Sequence, residues 1–154
     1  SIDQWSAVPD DGSSVIIIGN ILENDTDDWY VISSFDDIAD DLSVGIDYYR
    51  VNIDITDGSS DYSISVYKGG VDATDLECQG GYTSYSDFNE DNGEGILDDG
   101  SNKGIPTDTR ACGSNSSTLN ECEDNSTDYY IHVFRNTPVN SCQAYELTIT
   151  NGVW

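Results

Sequence analysis

The chain has 154 residues, with 30 acidic and only 5 basic side chains, and its formal net charge at pH 7 is -25. This length favours one domain with a real core, and this charge repels nucleic-acid phosphates and anionic lipid surfaces, which excludes both as partners. No apolar run comes near the ~20 residues that a membrane-spanning helix needs.

The chain opens with a polar, turn-rich arm, residues 1–12, ahead of a single predicted domain, residues 13–154. Val and Ile dominate residues 14–22, which predicts a strand interrupted at Gly19. An acidic turn then leads into a second predicted strand, residues 29–35.

Two pairs of strands are predicted downstream. Residues 47–56 alternate between apolar and polar side chains, as a half-buried strand does, and a glycine-containing turn joins them to residues 61–68 as a hairpin. Residues 128–135 are apolar or aromatic on both faces, as in a central strand, and residues 144–150 alternate as their partner.

Between these pairs lies a segment rich in Gly, Ser, Asn and Asp, residues 71–117, which is predicted to be an insert. A structureless loop of this length is uncommon in a compact domain, so short strands are expected near residues 76–78 and 118–122. About eight short strands with turn signals and no convincing helix predict an all-β fold, an antiparallel, jelly-roll-like β-sandwich.

The four cysteines, an even number, fit an oxidising, extracellular setting and predict that disulfides staple the insert. Their spacing lacks the Cys-x2-Cys knuckle of a zinc site. The favoured pairing is Cys78 with Cys112 and Cys122 with Cys142, and the alternative is Cys112 with Cys122 and Cys78 with Cys142.

Three glycosylation sequons begin at Asn24, Asn115 and Asn125. All three fall in predicted turns of the chain. Three is no excess over chance in a chain so rich in Asn, Ser and Thr, so they are modification sites only if the organism glycosylates secreted chains.

The aromatic residues of the chain divide into two groups. Those in predicted strands are expected in the core, namely Trp29, Tyr49, Tyr62, Tyr129 and Tyr145. Tyr82, Tyr85 and Phe88 lie in the insert and are harder to bury, which makes them the candidates for a platform that stacks on a polymer.

Five short stretches occur in an order that is typical of a known family: residues 18–21 (IGNI), 27–30 (DDWY), 61–67 (DYSISVY), 128–133 (DYYIHV) and 145–149 (YELTI). This order resembles the bacterial pre-peptidase C-terminal domain family, whose members are jelly-roll-like β-sandwiches appended to secreted enzymes. The resemblance implies a secreted, non-catalytic module that in some members binds calcium and a polymer such as collagen or a polysaccharide. The long insert, the cysteines and the acidity depart from the family, so no ligand-contact residue is carried over.

Two acidic segments are candidate Ca2+ sites. Residues 87–98 place oxygen donors at the spacing of a calcium-wrapping loop, with the candidate ligands Asp87, Asn89, Asp91, Gly93 and Asp98. The acidic turn brings Asp25, Asp27 and Asp28 together after Asn24, where they would repel one another without a cation. The competing interpretation of residues 87–98 is a chance match in a chain rich in Asp. The competing interpretation of the acidic turn is that its carboxylates point apart into water.

No catalytic residue is predicted. The single histidine, His132, lies within a predicted strand, as a packing or face-lining residue does, and no Gly-x-Ser-x-Gly elbow occurs. The sequence therefore predicts a secreted binding module whose partner is an extracellular polysaccharide or protein polymer. Two alternatives stay open: a structural subunit of an extracellular filament or surface layer that binds copies of itself through residues 15–18, and a hydrolase with paired carboxylates.

Overall fold

The structure is a computed structural model that describes residues 2–5, 7–22, 25–35, 50–72, 75–88, 126–137 and 143–152. Within these ranges the chain forms ten β-strands and no helix. The strands are β1 (Ile2–Gln4), β2 (Val8–Pro9), β3 (Ser14–Gly19), β4 (Asp27–Phe35), β5 (Arg50–Asp57), β6 (Tyr62–Lys68), β7 (Leu76–Tyr82), β8 (Ser84–Phe88), β9 (Thr127–Arg135) and β10 (Tyr145–Asn151).

The strands form two stacked sheets. The first sheet has the order β1-β4-β9-β6-β7, with β2 also paired to β4, and the second has the order β3-β10-β5-β8. All pairs are antiparallel except those of β1 and β2, which run parallel to β4. The all-β antiparallel sandwich predicted from the sequence is confirmed.

The core lies between the sheets and follows from alternation within the strands. Every second residue of β10 is buried, beginning at Tyr145 and including Leu147 and Ile149. Ile53 of β5 and Ile131 of β9 are fully buried in the same way. Because the side chains of a strand point alternately to its two faces, one buried face per strand is sufficient to define which residues enter the core.

The two hairpins predicted from the sequence are wrong. β5 belongs to the second sheet and β6 to the first, so the turn at residues 58–61 crosses between the sheets. Gly58, with a φ of 79°, lies against the backbone of Ala144 and Tyr145 in this turn. β9 and β10 likewise lie in different sheets. Two strands with one apolar face each can bury those faces side by side or face to face, and this chain places them face to face.

Several segments that the sequence leaves outside the sandwich contribute strands to it. Residues 2–9 of the predicted arm supply β1 and β2 at the edge of the first sheet, and residues 76–88 of the predicted insert supply β7 and β8. β3 pairs with β10 of the same chain, as an ordinary strand of the domain does. The predicted strand at residues 118–122 lies outside the described residues.

Candidate functional site

Five aromatic side chains lie together on the outer face of the first sheet. β4, β9 and β6 are neighbours, and their registers place Trp29 opposite His132 and Tyr130 opposite Tyr67. Phe134 follows His132 on the same face of β9. All five side chains are half-buried, and we call them the aromatic face.

Strand alternation explains why these residues face outward. Ile131 and Val133 of β9 are fully buried, so His132 and Phe134 point to the opposite side of the sheet. The same alternation on β4 turns Trp29 outward. A central strand that is aromatic on both faces thus supplies the core on one side and a surface patch on the other.

Ring contacts link Trp29, Tyr67, His132 and Phe134 of the aromatic face. Trp29 and His132 stack with their centroids 4.4 Å apart and their planes 15° apart. The centroids of Trp29 and Tyr67 are 5.6 Å apart, and those of His132 and Phe134 are 5.1 Å apart. Rings that hold one another in place lose little further freedom when a ligand binds, so the face is largely preorganised.

Asp27 orients the imidazole within this face. A hydrogen bond of 2.9 Å joins His132 Nε2 to Asp27 Oδ2. Among the described residues, Asp27 is the hydrogen-bond partner of the His132 ring. The arrangement fixes the ring against Trp29.

A shallow recess borders the aromatic face and is lined by Ser65, Tyr67, Gly80, His132 and Phe134. The Gly80 N–H donates to Ser65 Oγ at 2.9 Å. A Cβ at position 80 would lie 2.5 Å from Phe134 Cζ, so glycine is what lets the Phe134 ring lie across β7.

The core aromatics follow the sequence prediction with one exception. Tyr62, Tyr129 and Tyr145 are buried as predicted. Trp29 was expected in the core, but it lies on the outer face because its neighbour Tyr30 occupies the inward position of β4. Tyr49 lies outside the described residues.

Tyr85, one of the three residues of the predicted stacking platform, lies inside the sandwich. Tyr85 is fully buried, with its ring centroid 6.2 Å from that of Tyr129, because β8 is a strand of the second sheet and turns this residue inward. Tyr82 is partly buried and packs against the core. The side chain of Phe88 lies outside the described residues.

The first predicted calcium ligand has another role. Asp87 is 1% exposed, and its Oδ2 accepts a hydrogen bond from the Tyr129 hydroxyl and lies 2.5 Å from Lys68 Nζ. The alternation of β8 therefore points Asp87 into the sandwich, and its role as a calcium ligand stays a prediction. The other candidates of this loop, Asn89, Asp91, Gly93 and Asp98, lie outside the described residues.

The carboxylates of the acidic turn do not converge either. Asp27 and Asp28 are consecutive in β4 and point to opposite faces, where Asp27 meets His132 and Asp28 Oδ2 accepts from the Tyr145 hydroxyl at 2.7 Å. Asp25 is exposed. In the described part of the chain no three His, Cys, Asp or Glu side chains are grouped to hold a metal ion. Calcium binding stays a prediction.

Asp28 belongs to a hydrogen-bonded chain at one end of the sandwich. The hydroxyls of Tyr145 and Tyr30 lie 2.5 Å apart, next to the bond between Tyr145 and Asp28. Burial raises the pKa of Tyr145, and the hydrogen bonds to Tyr30 and Asp28 raise it further. Burial also raises the pKa of Tyr30. A Cβ at Gly19 would lie 2.5 Å from the Tyr145 hydroxyl, so the row of hydrogen bonds from Tyr30 through Tyr145 to Asp28 needs a glycine at position 19.

The cysteines and sequons are described in part. Cys78 is a buried free thiol in β7, and it is the single cysteine within the described ranges. Cys112, Cys122 and Cys142 lie outside those ranges, so the structure gives the predicted disulfide staple no support. The sequons at Asn24, Asn115 and Asn125 also lie outside them.

No family model and no curated protein matches the chain. Among solved structures, the chain is similar to the pre-peptidase C-terminal domain of a collagenase from Bacillus anthracis, with 10% sequence identity and a TM-score of 0.42. The match covers 97% of this chain and 95% of that one. This is the family that the sequence motifs resemble. None of the residues that the structure describes forms a helix long and apolar enough to cross a bilayer.

Proposed function

We propose that this protein is a secreted, non-catalytic module that binds a neutral or cationic polysaccharide through the aromatic face. The observation that carries the proposal is the stack of Trp29 on His132, flanked by Tyr67, on a half-exposed sheet surface. Flat, partly exposed rings offer apolar faces on which the C–H side of a sugar ring packs, while Tyr hydroxyls and imidazole nitrogen remain able to form hydrogen bonds.

The charge of the chain narrows the class of polymer. Asp27 contacts the aromatic face, and Asp128 accepts a hydrogen bond from Ser33 on the same side of the sheet. These carboxylates and the net charge of -25 repel anionic polymers. Carboxylate oxygens also accept hydrogen bonds from sugar hydroxyls or amines, which favours neutral or aminated chains.

Trp29→Ala is expected to weaken polysaccharide binding by about tenfold or more, because a buried Trp anchor at the centre of an interface carries a large share of the affinity. Pull-down on insoluble cellulose, chitin, chitosan and collagen measures this. Trp5→Ala is the matched control, since Trp5 is an exposed tryptophan that packs against Tyr30 away from the aromatic face.

The outcomes of this experiment separate the polymer classes. Retention on cellulose, chitin or chitosan that Trp29→Ala abolishes and Trp5→Ala preserves supports the proposal. Retention on collagen alone contradicts polysaccharide binding and shows that the module binds a protein polymer. Equal retention of wild type and Trp29→Ala, or no retention on any of the polysaccharides, contradicts the aromatic face as the binding surface.

A second candidate, self-association, is favoured by the edge of the second sheet. β3 is the terminal strand of that sheet, and Ile16, Ile18 and Leu22 on or beside it are exposed. An exposed apolar edge strand can pair with another copy, but like charges oppose the approach of two chains. Light scattering is then expected to show concentration-dependent association that Ca2+ promotes and Ile18→Lys prevents. A monomer at every concentration, with and without Ca2+, excludes this candidate.

A further inference from the structure

A lysine and an aspartate from opposite sheets meet inside the sandwich. Lys68 is the last residue of β6 in the first sheet, and Asp87 lies on β8 in the second sheet. Lys68 Nζ lies 2.5 Å from Asp87 Oδ2. The contact joins the two layers directly, between strands that are not hydrogen-bonded to each other.

The surroundings of this pair are apolar. Val51 lies opposite Asp87 in the sheet, and Val51, Val66 and Tyr129 are fully buried. The side chain of Asp87 is 1% exposed, and that of Lys68 is 23% exposed. Removing an ion pair from water costs free energy that is recovered only when the remaining lone pairs are satisfied. Asp87 Oδ1 has no hydrogen-bond partner among the described residues, so that requirement is not met within them.

We propose that Lys68 and Asp87 form an intramolecular isopeptide bond that cross-links the two sheets. Proton transfer from the ammonium group to Asp87 Oδ2 gives a neutral amine and a carboxylic acid. Nζ then attacks Cγ, Oδ2 leaves as water with a second proton from the nitrogen, and Oδ1 becomes the amide carbonyl oxygen. The reaction consumes one amine and one carboxylic acid and releases one water, so it needs no oxidant or other reactant.

The local geometry supports each part of this step. The ion pair holds the nucleophile against the carboxyl group, which supplies the proximity that an intermolecular reaction lacks. The Tyr129 hydroxyl donates to Asp87 Oδ2, the oxygen that departs, and so acts as a positioning residue for the leaving group. The product replaces a buried carboxylate, which has one oxygen without a partner among the described residues, and the partly exposed ammonium group beside it with a neutral amide, which costs less to keep away from water.

The intact mass of the complete, reduced chain tests the bond. The wild-type protein is expected to be lighter than its sequence mass by one water molecule. Lys68→Arg keeps the positive charge but has no attacking amine, so it is expected to have its full mass. Asp87→Asn can still react with Lys68, but it is expected to lose ammonia in place of water. A mass loss of one ammonia in this variant would therefore identify position 87 as the partner of Lys68.

Peptide mapping of the wild-type chain identifies the bond without relying on any variant. Trypsin is expected not to cleave after Lys68, because its amine is acylated. Cleavage after Glu77, which lies between the two residues, is expected to leave the Lys68 and Asp87 fragments joined. Tyr129→Phe is expected to lower the cross-linked fraction of the folded protein.

Two results would overturn the inference. One is a wild-type chain of full mass, in which Lys68 and Asp87 are an ordinary buried ion pair. The other is loss of water with normal trypsin cleavage after Lys68, which would show that the water was lost when an aspartate cyclised and not when Lys68 was acylated. Neither result bears on the polysaccharide proposal, because the cross-link and the aromatic face use different residues on different sides of the first sheet.

Discussion

Ile17→Ala is expected to lower the free energy of unfolding by about 2–5 kcal/mol, the range for truncating a buried isoleucine. Ile17 is 1% exposed and belongs to the core, since β3 turns it towards the first sheet. Truncation removes apolar surface from the core and leaves a cavity that the surrounding strands fill only in part.

The adjacent residue provides the matched control for this substitution. Ile18 is 71% exposed, so Ile18→Ala is expected to change the free energy of unfolding by less than about 0.5 kcal/mol. Urea denaturation of the three proteins measures the difference. A larger loss at Ile18 would show that β3 is shifted by one residue, because a slip of one residue exchanges the two faces of a strand. Equal losses would contradict the burial of Ile17 and the exposure of Ile18.

The stability of the fold is expected to fall above about pH 9. Burial raises the pKa of the Cys78 thiol from 9.0 to about 11, against a smaller opposite effect of a backbone hydrogen bond to Val66. When the pKa of a group is higher in the folded chain than in the unfolded chain, the free energy of unfolding is unaffected by that group at pH values below the unfolded pKa. Stability is then lost as pH rises towards the folded pKa, because only the unfolded chain ionises in that window.

Cys78 alone is expected to remove on the order of 3 kcal/mol between pH 9 and pH 11, and the raised pKa values of Tyr30 and Tyr145 add to the loss at higher pH. Urea denaturation of the reduced protein at a series of pH values measures this. Cys78→Ala is expected to flatten the decline between pH 9 and pH 11, whatever its stability at neutral pH. An identical pH slope in wild type and Cys78→Ala would contradict the burial of the thiol.

Part of the candidate site could be predicted from the sequence. The sequence of β9 has aromatic residues at both alternating sets of positions, so each face of this strand carries aromatic side chains. This pattern predicts a central strand but does not by itself predict a surface patch. In a two-layer sandwich a central strand packs only one face against the other sheet, so the second aromatic set of β9 lies on the outer face. Trp29 was assigned to the core because a large apolar residue next to Tyr30 gives no local sign of which of the two points inward.

At the predicted calcium loop, the spacing of the donors leaves open where the first donor points. Residues 87–98 match a ligand spacing, yet Asp87 is the inward residue of a strand and is engaged by Lys68 and Tyr129. A spacing motif describes donors along the chain, whereas the strand that contains its first donor decides where that donor points. The strand predicted near residues 76–78 is confirmed as the start of β7. Polar composition hid the rest of β7 and all of β8, where Gly and Ser residues lower strand propensity without preventing the pairing of β8 with β5.

The sequence by itself determined the class of fold and most of the core, because alternation between apolar and polar residues is a local property of each strand. It did not determine which strands share a sheet, since side-by-side and face-to-face packing bury the same residues. The tertiary structure decided that β5 and β6, and likewise β9 and β10, lie in opposite layers. This arrangement of strands places the aromatic face on three neighbouring strands and brings Lys68 next to Asp87. Both features depend on which strands, distant in sequence, share a sheet.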